Sequence, residues 1–266
     1  MKFETVTSTD GTTIAFERTG NGPPLLLVGG AFCDRTAPPS GTPLAALLAA
    51  RFTVFSYDRR GRGDSGDVTA YAIDREIDDI AALLKAAGEP ALVFGNSSGA
   101  LLAFDAAHRG LPISKLCLYE PPVILDPARA GALLALAQQL DEAVRAGRRG
   151  DAVELYMTQV MQMPAPAFEQ VRRSPAFSGL QRLAHTLSYD LAITARGAAR
   201  LEDASAIRAT TLVMNGDASP PWMHRAIESL AQRIPGAQHR TLAGQTHAVD
   251  IQTLATALDE FFVAAS

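Results

Sequence analysis

Five apolar runs recur along the chain with almost no polar residue breaking them: "PLLLVGG" (24–30), "FTVFSYD" (52–58), "ALVFG" (91–95), "KLCLYE" (115–120) and "TTLVMNG" (210–216). A strand with one wet face alternates apolar and polar residues, whereas a continuous run suits a strand covered on both faces, as in a parallel sheet. Helical patterns separate several of these runs, at "PLAALLAA" (43–50), "IDREIDDIAALLKAAG" (73–88) and "SGALLAFDAAHRG" (98–110). The last two close on glycine, where a C-terminal cap belongs. Strand alternating with helix predicts an α/β fold: a mostly parallel, doubly wound sheet with right-handed crossovers. Ahead of it, "FETVTS" and "TTIAFER" flank Asp10-Gly11, a hairpin signature, so two antiparallel strands open the fold.

From 123 to 205 the pattern changes to Ala, Leu, Arg and Gln with no strand-like run, which predicts a helical cap inserted after the sixth strand. Alternation then resumes, with a helix near 221–233, a short strand "HRTL" (238–241) and a closing helix at 248–264. The expected division is therefore 1–122 with 206–266 as the core domain and 123–205 as the cap.

Composition narrows the function classes. With 47% hydrophobic and 20% charged residues the chain belongs to the ordinary globular class. A net charge of −4 gives no electrostatic reason to expect nucleic acid or an anionic membrane as partner. No apolar stretch approaches the ~18 residues of a membrane span, and the N-terminus lacks an apolar signal core. Cys33 and Cys117 fit neither a disulfide framework nor a zinc site. A soluble, cytoplasmic protein with a small-molecule substrate, no metal and no cofactor is expected, as monomer or homodimer. The basic stretch "DRRGRGD" (58–64) has aspartates interleaved, which favours ion pairs within a loop over an anion site.

The segment with chemical content is "GNSSG" (95–99), placed between an apolar strand and an alanine-rich helix. That context is what a GxSxG nucleophile elbow requires, and the pattern puts Ser97 at the apex. Ser97 then projects above the carboxyl edge of the sheet, where open α/β sheets bind ligands. Ser98 opens the helix, so its backbone N–H is a candidate oxyanion donor. A serine hydroxyl needs a base. His108, His185 and His224 fall in helical patterns and His239 opens the short last strand, whereas His247 follows that strand in a loop above the same edge as Ser97.

Together "LLLVGG" before a loop, "YDRRGRGDSG", "GNSSG", the insertion after "LCLYE" and the late "GxxH" resemble the α/β hydrolase family over nearly the whole length. The resemblance implies a serine hydrolase with a Ser-His-acid triad, and a second oxyanion N–H from the loop "VGGAF", by position that of Ala31. The loop's customary histidine is Gly29 here. It also implies an acid after the 210–214 strand, where this chain has Ser219. Ser219 before Pro220 is itself explained as a helix N-cap. Two carboxylates remain: Glu120, at the end of the "LCLYE" strand, as in some haloalkane dehalogenases, and Asp217, two residues early and also explained as a turn former. Glu120 ranks first and the choice stays open.

Phe32, Asn96 and Trp222 are candidate substrate contacts, although Asn96, which tolerates unusual backbone angles, reads first as a turn residue. Leu140, Met157, Met161, Met163 and Phe177 of the cap are candidates for shaping a pocket, although methionine at helical spacing usually packs. A small to medium lipophilic ester is the expected substrate. The same fold also carries C–C bond hydrolases, cyclases and decarboxylases, and a receptor without catalysis is a third possibility.

Overall fold

The computed structural model describes residues 3–68, 70–88 and 90–264. The strands are β1 (Glu4–Thr7), β2 (Thr13–Thr19), β3 (Pro24–Val28), β4 (Thr53–Tyr57), β5 (Ala91–Asn96), β6 (Ile113–Tyr119), β7 (Thr210–Gly216) and β8 (Gln238–Leu242). They form one sheet in the order β1-β2-β4-β3-β5-β6-β7-β8. β2 pairs antiparallel with both β1 and β4, and every other pairing is parallel.

The apolar runs divide residue by residue between two cores, as the period-2 geometry of a strand demands. Leu26 and Val28 of β3, Phe55 of β4, Val93 of β5, Leu116 and Leu118 of β6 and Val213 of β7 face one side. There they pack on α2 (Ile73–Ala87), α3 (Ser98–His108) and α10 (Pro221–Arg233). Leu25, Leu27, Val54, Leu92, Phe94, Cys117, Leu212 and Met214 face the other, against α1 (Thr42–Leu48) and α11 (Ile251–Val263). Full burial of one such side chain stabilises the fold by ~1.5–3 kcal/mol, so the two cores together set which sequence positions can be strands.

Between β6 and β7 run α4 (Pro127–Arg145), α5 (Arg149–Leu155), a π turn (Tyr156–Val160), α6 (Ala165–Arg173), α7 (Phe177–Leu183), α8 (Leu187–Ala195) and α9 (Gly197–Asp203). They share a third cluster, with Leu133, Leu136, Leu140, Val153, Met157, Phe168, Leu187 and Leu191 buried in it. Two boundaries differ from expectation. Asp10-Gly11 lies inside a wider hairpin loop, since Thr7 pairs with Thr13 and Ser8 N–H donates to Thr12 C=O. The last helix starts at Ile251 because Asp250 caps it, accepting from Thr253 N–H at 2.9 Å. Residues 243–249 are thereby left as loop, and they carry His247.

Among the described residues no helix is long and apolar enough to cross a membrane.

Candidate active site

β5 is central, and the chain turns from its end straight into α3. Ser97 occupies the turn at φ 54, ψ −131, a conformation rare for a residue with a Cβ. Neighbouring glycines make the turn possible. A Cβ at Gly95 would lie 2.6 Å from Gly99 C=O, and one at Gly99 would lie 2.3 Å from Val28 C=O. The Ser97 N–H donates to Tyr119 C=O at 3.0 Å, anchoring the turn to the end of β6.

Glu120 follows β6 directly, also at positive φ (45), and is fully buried. Strain of this kind costs about 1–3 kcal/mol per residue and clusters at functional sites. Three donors converge on its carboxylate: Gly216 N–H at 2.9 Å and the Ser219 hydroxyl meet Oε1, and His247 Nδ1 meets Oε2 at 2.8 Å. Burial alone would raise the Glu120 pKa. The hydrogen bonds from His247, Ser219 and Gly216 outweigh it and hold the carboxyl below its ordinary value.

His247 reaches this position by a loop folded back over the end of β7. A Cβ at Gly216 would lie 2.1 Å from Gln245 C=O, so glycine is required there for the approach. The Tyr119 hydroxyl donates to Thr246 C=O at 2.6 Å and pins the loop from below. With Nδ1–H donated to Glu120, Nε2 carries the lone pair, and it stands 3.1 Å from Ser97 Oγ. The His247 side chain is 42% exposed, so the imidazole is open to solvent. A hydroxyl, an imidazole and a carboxylate in this sequence can move a proton from oxygen to nitrogen and stabilise the imidazolium that results.

The loop after β3 faces Ser97. A Cβ at Gly30 would come within 2.8 Å of Ser97 Cβ, so the Gly30–Ala31 peptide lies beside the nucleophile. Ala31 and the next residue, Phe32 at φ 58, pack against the helices between β6 and β7. Ser98 heads α3, and the first N–H groups of a helix have no acceptor within it.

Several expectations change. Asp217 is exposed, and its carboxylate accepts from Gly244 N–H at 2.7 Å, so it closes a turn instead of meeting His247. Ser219 caps no helix: α10 begins after Pro220 without a side-chain cap, and the Ser219 hydroxyl belongs to Glu120. Asn96 is buried and ends β5 with ordinary strand geometry. Its carbonyl oxygen accepts from the Ser40 hydroxyl. His224 and His239 both bind the Asn215 amide. Met161 is half exposed, while Leu140 and Met157 are buried in the helical cluster. A cavity of about 540 Å³ includes Phe32, Arg149, Leu180 and His185 in its wall, but neither Ser97 nor His247.

The arginines of 58–64 are buried and paired. Arg59 binds Glu76 and, at 2.8 Å, Asp190. Arg60 binds Asp79, at 2.7 and 2.8 Å, and Asp10. Arg62 binds Asp190 at 2.7 Å. Ion pairs, not an exposed anion site, account for the stretch. Sequence reasoning missed Asp190, Tyr119 and the contact of Ser219 with Glu120, all of which depend on long-range packing.

The model of the alpha/beta hydrolase family matches residues 25–259, nearly the whole chain. The chain belongs to the alpha/beta hydrolase family. An α/β hydrolase from Sphaerobacter thermophilus DSM 20745 superposes on this family member with a TM-score of 0.88 at 45% identity, over 98% of this chain and 100% of that one. An uncharacterized hydrolase, YraK, of Bacillus subtilis (strain 168) is 32% identical over 151 residues. That match spans 54% of this chain and only 54% of YraK. A thermophilic esterase from Thermogutta terrifontis, solved with malate bound, shares the fold at a TM-score of 0.74 and 24% identity over 98% of each chain.

Proposed function

We propose that this hydrolase cleaves a small to medium lipophilic ester through an acyl-enzyme on Ser97. The observation that carries the proposal is the unbroken contact path from Ser97 Oγ through His247 to buried Glu120, 3.1 Å and then 2.8 Å. Ser97 Oγ attacks the ester carbonyl while its proton passes to His247 Nε2, and Glu120 holds the ring in the required tautomer and balances the imidazolium. The N–H groups of Ser98 and Ala31 take the oxyanion of the tetrahedral intermediate. His247 then returns the proton to the leaving alkoxide, and water repeats the sequence to release the acid. Residues 123–205 act as a cap, with Phe32 and Trp222 as apolar contacts beneath it. Both are partly buried and pack against the helical cluster, which supports an apolar group on the substrate.

A chain-length series of p-nitrophenyl esters, with wild type and Ser97→Ala, tests this. The expected result is turnover that peaks at short to medium acyl chains and falls by at least about 10³-fold in Ser97→Ala. Turnover that survives the substitution sinks the acyl-enzyme and favours a non-covalent reaction on the same fold.

A further inference from the structure

Asp190, on α8, is fully buried and lies 92 residues in sequence from Ser98, whose hydroxyl donates to its Oδ1 at 2.6 Å. The same carboxylate takes Arg59 Nη1 on Oδ1 at 2.8 Å and Arg62 Nη2 on Oδ2 at 2.7 Å. Both arginines then reach the loop after β3. Arg59 Nη1 donates to Gly29 C=O at 3.3 Å, and Arg62 Nη1 donates to Gly30 C=O and, at 3.1 Å, to Cys33 C=O. Arg59 has a second carboxylate in Glu76, but Asp190 is the one carboxylate bound to Arg62 among the described residues.

The Gly30 carbonyl and the Ala31 N–H are opposite ends of one peptide unit. In a planar trans peptide they point in opposite directions, so fixing the carbonyl fixes where the N–H aims. A charged donor on the carbonyl also polarises the unit and strengthens its N–H as a donor. On the other side of the site, the Ser98 hydroxyl is tied to the same carboxylate, which restrains the residue that supplies the other N–H. One side chain from the inserted helices thus reaches both oxyanion donors, one directly and one through Arg62. Gly29 and Gly30 bring no side chain to the loop, and the guanidiniums of Arg59 and Arg62 hold its backbone.

We propose that Asp190 is a positioning residue that aligns the Ala31 and Ser98 N–H groups, so that the oxyanion hole is complete only when α8 is docked on the core. The proposal rests on the Ser97 hydrolase reading above. It predicts an effect on the transition state with little effect on ground-state binding, since the hole is aimed at charge that develops during the reaction.

The test compares Asp190→Asn and Ser98→Ala with Lys115→Met. The last removes buried hydrogen bonds from Lys115 of β6 to the C=O groups of Phe261 and Phe262 at the end of α11, which touch neither α8, the loop after β3 nor Ser98. Kinetics on p-nitrophenyl acetate are read beside inhibition by phenylboronic acid, which forms a tetrahedral adduct on a reactive serine. For Asp190→Asn, kcat falls by about 30–300-fold with KM within about threefold, and boronate affinity weakens by a similar factor. Ser98→Ala shows the same pattern at about 3–10-fold. Lys115→Met lowers the melting temperature and leaves kcat within about twofold.

A folded Asp190→Asn with unchanged kcat and boronate affinity overturns the proposal, and so does a loss no larger than that of Lys115→Met. Should Asp190→Asn fail to fold by circular dichroism, Ser98→Ala decides, and unchanged kcat and boronate affinity there overturn it. Wild type that neither turns over ester nor reacts with a fluorophosphonate sinks the hydrolase reading and this proposal with it. Reactive wild type with unaffected variants sinks this proposal alone.

Discussion

Glu120→Gln exchanges one oxygen for NH2 at a site where every neighbour is a donor. Glu120 Oε1 accepts from Gly216 N–H and the Ser219 hydroxyl, and Oε2 from His247 Nδ1. Glutamine keeps one acceptor, so its NH2 must face one side or the other. Facing Gly216 leaves a buried backbone N–H without a partner, at a cost of about 1–3 kcal/mol, and that N–H cannot turn away. His247 can adapt, because its proton can move from Nδ1 to Nε2. The NH2 therefore turns to His247, Nδ1 becomes the acceptor, and Nε2–H no longer has a lone pair for the Ser97 proton. A wrong tautomer of this kind costs a serine triad about 10⁴ in kcat, or about 5.5 kcal/mol of barrier at ~1.4 kcal/mol per tenfold. The assay is kcat and KM on p-nitrophenyl acetate for wild type and Glu120→Gln, with circular dichroism as the check on folding. A folded variant that keeps more than about a tenth of wild-type kcat refutes the assignment of Glu120 as the acid and the tautomer reasoning with it.

Asp217→Ala removes the acceptor for Gly244 N–H, so it should destabilise the fold by about 1 kcal/mol while kcat stays within about threefold; a thermal melt and the same ester assay check this. Ser219→Ala takes one hydrogen bond from the Glu120 carboxylate, and the expected result is a kcat lower by about 3–10-fold with the acid limb of the pH–rate profile displaced upward. Burial would raise the pKa of Glu120 and of Asp190, but hydrogen bonds on Glu120, and the charges of Arg62 and Arg59 beside Asp190, hold both below the ordinary carboxylate value. Each ionisation therefore adds stability that is complete above the unfolded carboxylate range of ~4–4.5 and is lost as pH falls through the lower folded value. Melting temperatures from pH 7 to pH 3 should drop more steeply for wild type than for Glu120→Gln, and parallel curves would contradict this.

What could be read from the chain was what local pattern encodes. Runs such as "ALVFG" and "KLCLYE" identify strands because both faces are buried, with Val93 on one side and Leu92 and Phe94 on the other. The elbow was legible for the same reason, since Gly95, Ser97 and Gly99 lie within five residues and the strand and helix that bracket them have their own signatures. Ser219 misled because "SPPW" satisfies the rules for a helix start, while the actual partner of its hydroxyl is Glu120, 99 positions earlier. Asp190 sits in "LSYDLAI", where a single aspartate looks like the wet face of a helix. Its burial against Arg59 and Arg62 depends on how α8 packs on the core, which no window of sequence contains. Nor does any local pattern show that the Asn96 carbonyl oxygen accepts from the Ser40 hydroxyl, which comes from a loop 56 residues away.

In the proposed reaction Ser97, and not its neighbour Ser98, is the nucleophile activated by His247. Intact-mass and peptide mapping after treatment with a fluorophosphonate tests it most directly. The prediction is one adduct per chain, on Ser97, absent in Ser97→Ala and formed much more slowly in His247→Ala. A folded wild type that takes no adduct, or an adduct that maps to Ser98, contradicts it.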